Sequence, residues 1–589
     1  MTTEPTVAER IAASLRRHGV TMIFAQSLPS AVVLACEAIG IRQIAYRQEN
    51  MGGAMADGFA RISGRIGVVC AQNGPAATLL VPPLAEALKA SIPIVALVQE
   101  VETRQADRNA FQEIDHAAIF AGCAKWFRTL RVAERVEDHV DAAFLAAGSG
   151  RPGPAVLMLP ADLLKLVPRE PRRTRTEALG SWPIDRIRPD AARIAEAARL
   201  IAAAEHPVMV AGGGCLAAGG PEAAAALQQA ALMPVFTTNM GKGAVDERHP
   251  LSCGVLGALN GPGSLGRITR PLLERADVVL LAGTRTNQNG TDSWRLVPDA
   301  AKVIQIDLDP QEIGRNYEAL RLTGDCGATL AELAAALGRE NLGRRREARA
   351  ALETEIAAAW AAFEEVRRPL LYRNAGPVRP ERVMAELQGL LDPDSIVVAD
   401  ASYSSMWIVG QLRASRAGQR FLTPRGLAGL GWGLPLAIGA KLARPTSRVV
   451  ALVGDGGFAH SWAELETLVR MRIPLTVILL NNGVLGFQKD AETVKFGAYT
   501  SACHFAPVDH AAIARACGCA GVRVGEPGEV RAALESALAS GAPTLIEVMT
   551  DPDAHPPLSL YDGTLDRSTG GSGPSRAPSP ASRPARCRD

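Results

Sequence analysis

The chain has 589 residues, 47% of them hydrophobic and 21% charged, with a formal net charge of +2. That length exceeds one ordinary core and points to about three or four folding units. The near-neutral balance, the 4% aromatic content and the lack of a basic stripe exclude a nucleic-acid footprint, and no run approaches the ~18 apolar residues of a membrane span. Ten cysteines are scattered without a C-x-x-C pair, as expected of reduced thiols in a cytoplasmic protein.

The N-terminal stretch "TVAERIAASLRRHG" is an amphipathic helix and not a targeting segment. A first α/β unit, residues 1–172, carries the short apolar strands "RIGVVCAQ" and "IPIVALVQ". The stretch "VPREPRRTRTEALGSWP" has no apolar period and reads as a linker. A second unit, residues 188–340, carries "PVMVAGGG", "DVVLLAGT" and "KVIQIDLD". A charged helix leads to a third unit, residues 370–555, with "SIVVAD", "RVVALVGDG", "LTVILLNN" and "PTLIEVM". Continuous apolar runs alternating with helices of period 3.6 predict α/β units, each a doubly wound parallel sheet covered on both faces. The tail, residues 565–589, is rich in Ser, Pro, Gly and Arg and is expected to be disordered.

One βαβ unit concentrates chemistry. "RVVALV" runs into "GDGG", a helix follows, and "LTVILL" ends in "NNG". Asp455 and Asn482 therefore fall at C-terminal strand ends, where open α/β sheets bind ligands. A carboxylate and an amide oxygen suit a hard divalent cation such as Mg²⁺. Gly454, Gly456 and Gly457 let a phosphate approach the backbone, and a helix N-terminus beyond them favours negative charge. The residues alone leave two readings open: a metal–diphosphate site, or a tight turn with Asp455 as a helix cap.

With Asn482 at its far end, "GDGGF…LNN" resembles the diphosphate and metal motif of thiamine-diphosphate enzymes. "YRQENMGGAMADGFAR" resembles that family's catalytic glutamate helix, with Glu49 as the glutamate. "NAFQEIDHAAIFAGCAKWF" and "RGLAGLGWGLPLAIGAKLA" resemble segments of acetolactate synthases. The resemblance implies a pyrimidine-binding, a central Rossmann-like and a diphosphate-binding domain. It implies an active site shared between subunits, hence a homodimer or homotetramer. Glu49 would hydrogen-bond the aminopyrimidine ring and promote loss of the thiazolium proton. Asp455, Asn482 and the Val484 carbonyl would hold the metal, and Leu430, beside Gly429, would bend the cofactor. Tyr403 and Ser404 would contact the diphosphate, while Phe111, Gln112 and Lys125 would line the substrate entry.

In the central unit, "VMVAGGGCL", "LAGTRTNQNG" and "VIQIDLDPQEIGRN" resemble flavin-binding acetolactate synthases. This implies a structural FAD near Gly213, Arg285 and Asp307, although "GTRTNQNG" departs from the usual arginine-phenylalanine-aspartate-aspartate-arginine run. Three further departures bear on the substrate. The usual glycine-rich loop is "AQSLPSA", residues 25–31. Gln488 and Ala491 stand where the family has a valine and a tryptophan facing the reaction, and a buried Gln488 would need a polar partner. The expected function is acetolactate-synthase-like, in branched-chain amino acid biosynthesis: decarboxylation of a pyruvate-like 2-keto acid, then ligation to a second carbonyl. A C–C lyase or hydrolase acting on a diketone or 2-hydroxy ketone is the alternative, and a non-catalytic binding paralogue is the alternative of another class.

Overall fold

The computed structural model describes residues 4–169, 175–374 and 376–565. The tail beyond 565 and part of the expected linker lie outside these residues. Three six-stranded sheets follow one another along the chain, and every pairing of named strands is parallel. The first comprises β1 (Met22–Phe24), β2 (Arg42–Ile44), β3 (Gly67–Ala71), β4 (Ile94–Glu100), β5 (Trp126–Thr129) and β6 (Pro154–Pro160). Their spatial order is β2-β1-β3-β4-β6-β5.

The second sheet comprises β7 (Pro207–Ala211), β8 (Val235–Thr237), β9 (Ser252–Val255), β10 (Val278–Ala282), β11 (Lys302–Asp307) and β12 (Ala319–Thr323), in the order β12-β11-β10-β7-β8-β9. The third comprises β13 (Ile396–Ala399), β14 (Arg420–Leu422), β15 (Val449–Gly454), β16 (Thr476–Asn481), β17 (Ala520–Val524) and β18 (Thr544–Met549), in the order β14-β13-β15-β16-β18-β17. In each sheet the crossovers on either side of one strand pair run in opposite directions: β1 and β3, β7 and β10, or β13 and β15. Those reversals leave crevices at the C-terminal strand edge.

The central strands are buried on both faces, which is why they read as unbroken apolar runs. One apolar cluster spans the first and third sheets, joining Met51, Met55 and Ile94 to Leu436, Ile438 and Val477. Its centre is the crossing of helices Glu49–Ser63 and Gly433–Ala443. A Cβ on Gly58 would overlap the Leu436 carbonyl oxygen, and one on Gly439 would overlap the Met55 carbonyl oxygen. The two helices thus hold reciprocal places, in keeping with the similar layout of the segments around residues 51–74 and 431–456. Gly439→Ala is expected to cost about 1–3 kcal/mol or more, because backbone atoms block the new methyl group. Gly525→Ala, with nothing within 4 Å of its Cβ position, is the control, and urea unfolding of both reads the difference.

The expected linker proves to be docked where it is described. Ile66 N–H donates to the Gly180 carbonyl at 2.8 Å and Trp182 N–H to the Gly64 carbonyl at 3.0 Å. Leu179 is buried in the first unit's core, and Arg175 pairs with Asp138 and Asp141. Its lack of apolar period hid these contacts, because backbone hydrogen bonds and ion pairs carry them. Helix Gly343–Leu371 runs from the second unit towards the third. Among the described residues no helix is long and apolar enough to cross a membrane. The nine described cysteines are free, and all but Cys517 are buried.

Candidate active site

Asp455 begins a single helical turn, Asp455–Phe458, directly after β15. The longer helix expected here starts only at Glu464, so the helix-dipole contribution near Asp455 is that of one turn. Leu465 and Leu468 face the core, whereas Val469 is 36% exposed. Asn482 follows β16, the neighbour of β15, and the Gly483 N–H donates to Asp455 Oδ2 at 2.9 Å. Burial pushes the Asp455 carboxyl up to about 6, against the backbone N–H groups of Gly483 and Gly456. An uncompensated, buried carboxyl of this kind is one that a cation would relieve.

Asp455, Asn482 and Val484 line one cleft, together with Tyr403, Ser404, Leu430, Gly454, Gly456 and Gly457. A carboxylate, an amide oxygen and a peptide carbonyl form a donor set fit for Mg²⁺ or Ca²⁺ completed by phosphate and water. Leu430 is 37% exposed, so it projects into the cleft and does not fill the core. Gly429 packs against the Trp432 indole on the same loop. The Tyr403 hydroxyl is held at 2.6 Å from both Asp490 Oδ2 and the Tyr561 hydroxyl. Burial raises its pKa, so it remains a neutral phenol.

Asp400, which sequence reasoning passed over, organises this cleft. It directly follows β13, is 1% exposed, and accepts the N–H groups of Ala401 (2.8 Å), Gly431 (2.9 Å) and Trp432 (3.0 Å). The loop carrying Leu430 is thereby tied to the switch point, and a Cβ on Gly457 would overlap the Asp400 carboxylate. The signal was available: an acid closing an apolar run, as at Asp455.

Glu49 opens its helix at the C-terminal edge of the first sheet and is half-buried. It does not line the cleft of its own chain. The preceding Arg47 and Gln48 N–H groups donate to the buried Glu464 carboxylate at 3.0 and 3.2 Å. Gln112 lies on the same edge, its Oε1 accepting Gln72 Nε2 at 2.7 Å, and Phe111 beside it is 83% exposed. Lys125 is not brought to them. It precedes β5 at the opposite edge, with Nζ donating to the Ser149 carbonyl at 2.6 Å. Gln488 also differs from expectation: it is exposed on helix Gly486–Phe496 and donates to Glu492 Oε1 at 2.7 Å. That helix buries Asp490 and turns Gln488 outward.

Residues 5–119 match the family model of the thiamine pyrophosphate enzyme N-terminal TPP binding domain. Residues 194–333 match its central domain and residues 400–548 its C-terminal TPP binding domain. A probable acetolactate synthase large subunit of Methanocaldococcus jannaschii is 31% identical over 95% of this chain and 94% of its own. The chain belongs to the thiamine pyrophosphate enzyme family. An acetolactate synthase of Mycobacterium bovis is 32% identical over 93% of this chain and 88% of its own. An acetolactate synthase large subunit of Parasynechococcus marenigrum is 32% identical over 91% and 86%. This thiamine-diphosphate-dependent enzyme is thus acetolactate-synthase-like along nearly its whole length.

The enzyme has a second large cavity, of about 310 Å³, where its three units meet. Gly213 after β7, Arg285 after β10 and Asp307 at the end of β11 all line it, so the structure brings these three predicted residues together. Five arginines reach it: Arg61, Arg151, Arg285, Arg420 and Arg425. Burial lowers the pKa of Arg285 and brings those of Arg420 and Arg425 to about 10. Asn239 Oδ1, Thr423 Oγ1 and the Nε atoms of Arg420 and Arg425 are buried without a hydrogen-bond partner. A cationic wall with orphaned polar atoms fits an anionic, hydrogen-bonding ligand such as a dinucleotide. Burial also pushes Asp307 up to about 6. Glu86, which sequence reasoning missed, accepts the Gly426 N–H at 2.6 Å and orders the 426–428 wall of this cavity. No local pattern marked it, because it is one acid on an amphipathic helix.

Proposed function

We propose that the enzyme decarboxylates a pyruvate-like 2-keto acid and ligates the two-carbon unit to a second carbonyl acceptor. The observation that carries this is the convergence of Asp455 and Asn482, at adjacent strand ends, in a cleft into which Leu430 projects. Relatives named acetolactate synthase support the choice of reaction. Bound there, thiamine diphosphate supplies a carbon nucleophile and an electron sink for the departing carboxylate. Asp455, Asn482 and the Val484 carbonyl hold Mg²⁺, and Gly454, Gly456 and Gly457 leave room for the diphosphate. Glu49 holds a proton at the aminopyrimidine ring from a second subunit, with Phe111 and Gln112 beside it. The central cavity, lined by Gly213, Arg285, Asp307 and four further arginines, would hold FAD as a structural cofactor. The enzyme acts as a cytoplasmic homodimer or higher assembly.

Incubation with pyruvate is expected to yield acetolactate, and Glu49→Gln to abolish it. Firm thiamine-diphosphate binding with no acetolactate would sink this reading. The purified protein should show flavin absorption bands that Arg285→Ala diminishes, and a colourless protein would remove FAD. The exposed Gln488–Glu492 pair, just beyond the cleft residues Leu485 and Gly486, favours a second reading. Such a pair would offer a polar, acidic wall to a substrate, as cleavage of a diketone or 2-hydroxy ketone would use. A product screen over both substrate classes separates the two.

A further inference from the structure

A third cavity, of about 210 Å³, lies beside the central one, with Lys242 in its wall. Its walls come from the second unit around residues 242–266, from helix Gly343–Leu371, and from residues 409–415 of the third unit. Val255, Leu259, Leu265, Val409 and the Trp360 ring make it largely apolar.

The charges of the lining pair off with one left over. Lys242 Nζ donates to both Glu247 carboxylate oxygens, at 3.0 and 2.8 Å, with both side chains 1% exposed. Arg367 donates to both Glu364 oxygens at 2.8 and 2.7 Å. Arg248, at the rim, pairs with Asp246 at 3.0 Å. Arg413 remains. Its Nε donates to the Glu247 carbonyl at 2.9 Å, and its guanidinium lies 4.1 Å over the Trp360 ring. Its two terminal nitrogens donate to no described residue; burial lowers its pKa, against the nearby carboxylates of Glu247, Glu364 and Asp246, which raise it. A guanidinium seated over an indole, with its two terminal nitrogens free of protein partners, can capture a carboxylate bidentately.

We propose that this cavity binds a small organic monocarboxylate with a compact apolar or aromatic body, its carboxylate on Arg413. The volume exceeds the ~150 Å³ that accepts benzene and falls below the ~300 Å³ of drug-sized sites, so the occupant has roughly ten non-hydrogen atoms. A dianion would carry one negative charge more than the single unpaired guanidinium can match, and a neutral ligand would forgo the charge-assisted pair that half-buried Arg413 offers. The site also adjoins the dinucleotide-like cavity. The Lys242 ammonium lies 5.1 Å over the Phe421 ring, and Phe421 lines that cavity with Thr238, Asn239 and Met240. An occupant would therefore brace the wall between the two.

The test uses the full chain, with benzoate and 4-methylpentanoate as probes and their amides as controls, at constant ionic strength. Tryptophan fluorescence and calorimetry should show saturable binding with half-saturation below about 1 mM. The amides should bind at least about tenfold more weakly, since they cannot pair with the guanidinium charge. Arg413→Gln should weaken the carboxylates about tenfold or more. Gly410→Leu should block them by filling the cavity: its Cβ would meet only Leu259 methyl groups, at 3.5 and 3.8 Å, so the position accepts a side chain. Asp455→Ala should leave binding intact, which separates this cavity from the cofactor cleft. Absence of saturable binding, equal binding of the amides, or binding that survives Gly410→Leu overturns the assignment. If Arg413→Gln does not fold, Gly410→Leu decides.

Discussion

Co-expression of Glu49→Gln and Asp455→Ala chains in equal amounts is expected to restore about a quarter of the wild-type activity, although each variant alone is nearly inactive. Random pairing makes about half of the dimers mixed, and each mixed dimer assembles one intact site of its two. The physical basis is that Glu49 does not line the metal-suited cleft of its own chain. Asp455, Asn482 and Val484 line one cleft, whereas Glu49 lies outside it, beside Arg47 and Gln48 tied to Glu464. Each variant removes a different half of the machinery. Glu49→Gln keeps the hydrogen-bonding shape and loses the ionisable group, for which a fall of about 10²–10⁴ in turnover is expected. Asp455→Ala removes a proposed metal ligand and is expected to lose diphosphate capture with it. Steady-state assay of the purified mixture against each homodimer reads the result, and no recovery in the mixture would rule out the shared site.

A second large effect belongs to Asp455 itself, and its sign differs between the apo and loaded chain. The folded carboxyl titrates at about 6 against an ordinary 3.8, with burial as the cause. The folded state therefore holds this proton more tightly than the unfolded state. The associated stability is fully present below about pH 4 and is lost as pH rises through about 6. In the apo chain at neutral pH, Asp455→Asn should be more stable than wild type by up to roughly 3 kcal/mol. The difference should shrink towards acid pH, which cancels contributions common to both chains, such as that of Asp307. Divalent-cation affinity runs the other way, because the metal needs the carboxylate. It should drop about tenfold per pH unit below pH 6 in wild type. Urea unfolding and metal titration across this range check both signs, and an apo Asp455→Asn chain less stable than wild type would contradict the burial argument. A cofactor site bought with stability in this manner is common in enzymes.

Features set by local chemistry were legible before any coordinates. The buried strands announce themselves as apolar runs because a parallel sheet covered on both faces leaves no polar side. Asp455 and Asn482 stand out because a strand end is where such sheets offer side chains to ligands, and few residue types there suit a hard cation. Gly213, Arg285 and Asp307 were legible through resemblance to flavin-binding acetolactate synthases, and they meet in one cavity. Glu49 was legible only through family resemblance, since one acid opening a helix of small residues carries no intrinsic meaning.

Other features required the fold. Asp400 and Glu86 act by gathering backbone N–H groups from loops that lie 31 to 342 residues away, and no local pattern encodes such a partner. The 175–183 segment is docked by hydrogen bonds and ion pairs that apolar periodicity cannot report. Lys125 and Gln112 are 13 positions apart yet sit at opposite strand edges, because one residue precedes its strand and the other follows its own. Gln488, expected to be buried, faces outward because its helix spends its inner side on Asp490 and Phe487.

By itself, the sequence determined the strand composition, the three α/β units and the metal-suited pair at Asp455 and Asn482, because these follow from burial, period and donor chemistry over a few residues. Only the tertiary structure decided that Glu49 stands apart from that pair within one chain. Only it showed that five arginines converge on one cavity, and that Arg413 forms no ion pair among the described residues. Proximity, burial and charge balance are sums over distant segments, and no single stretch of chain contains them.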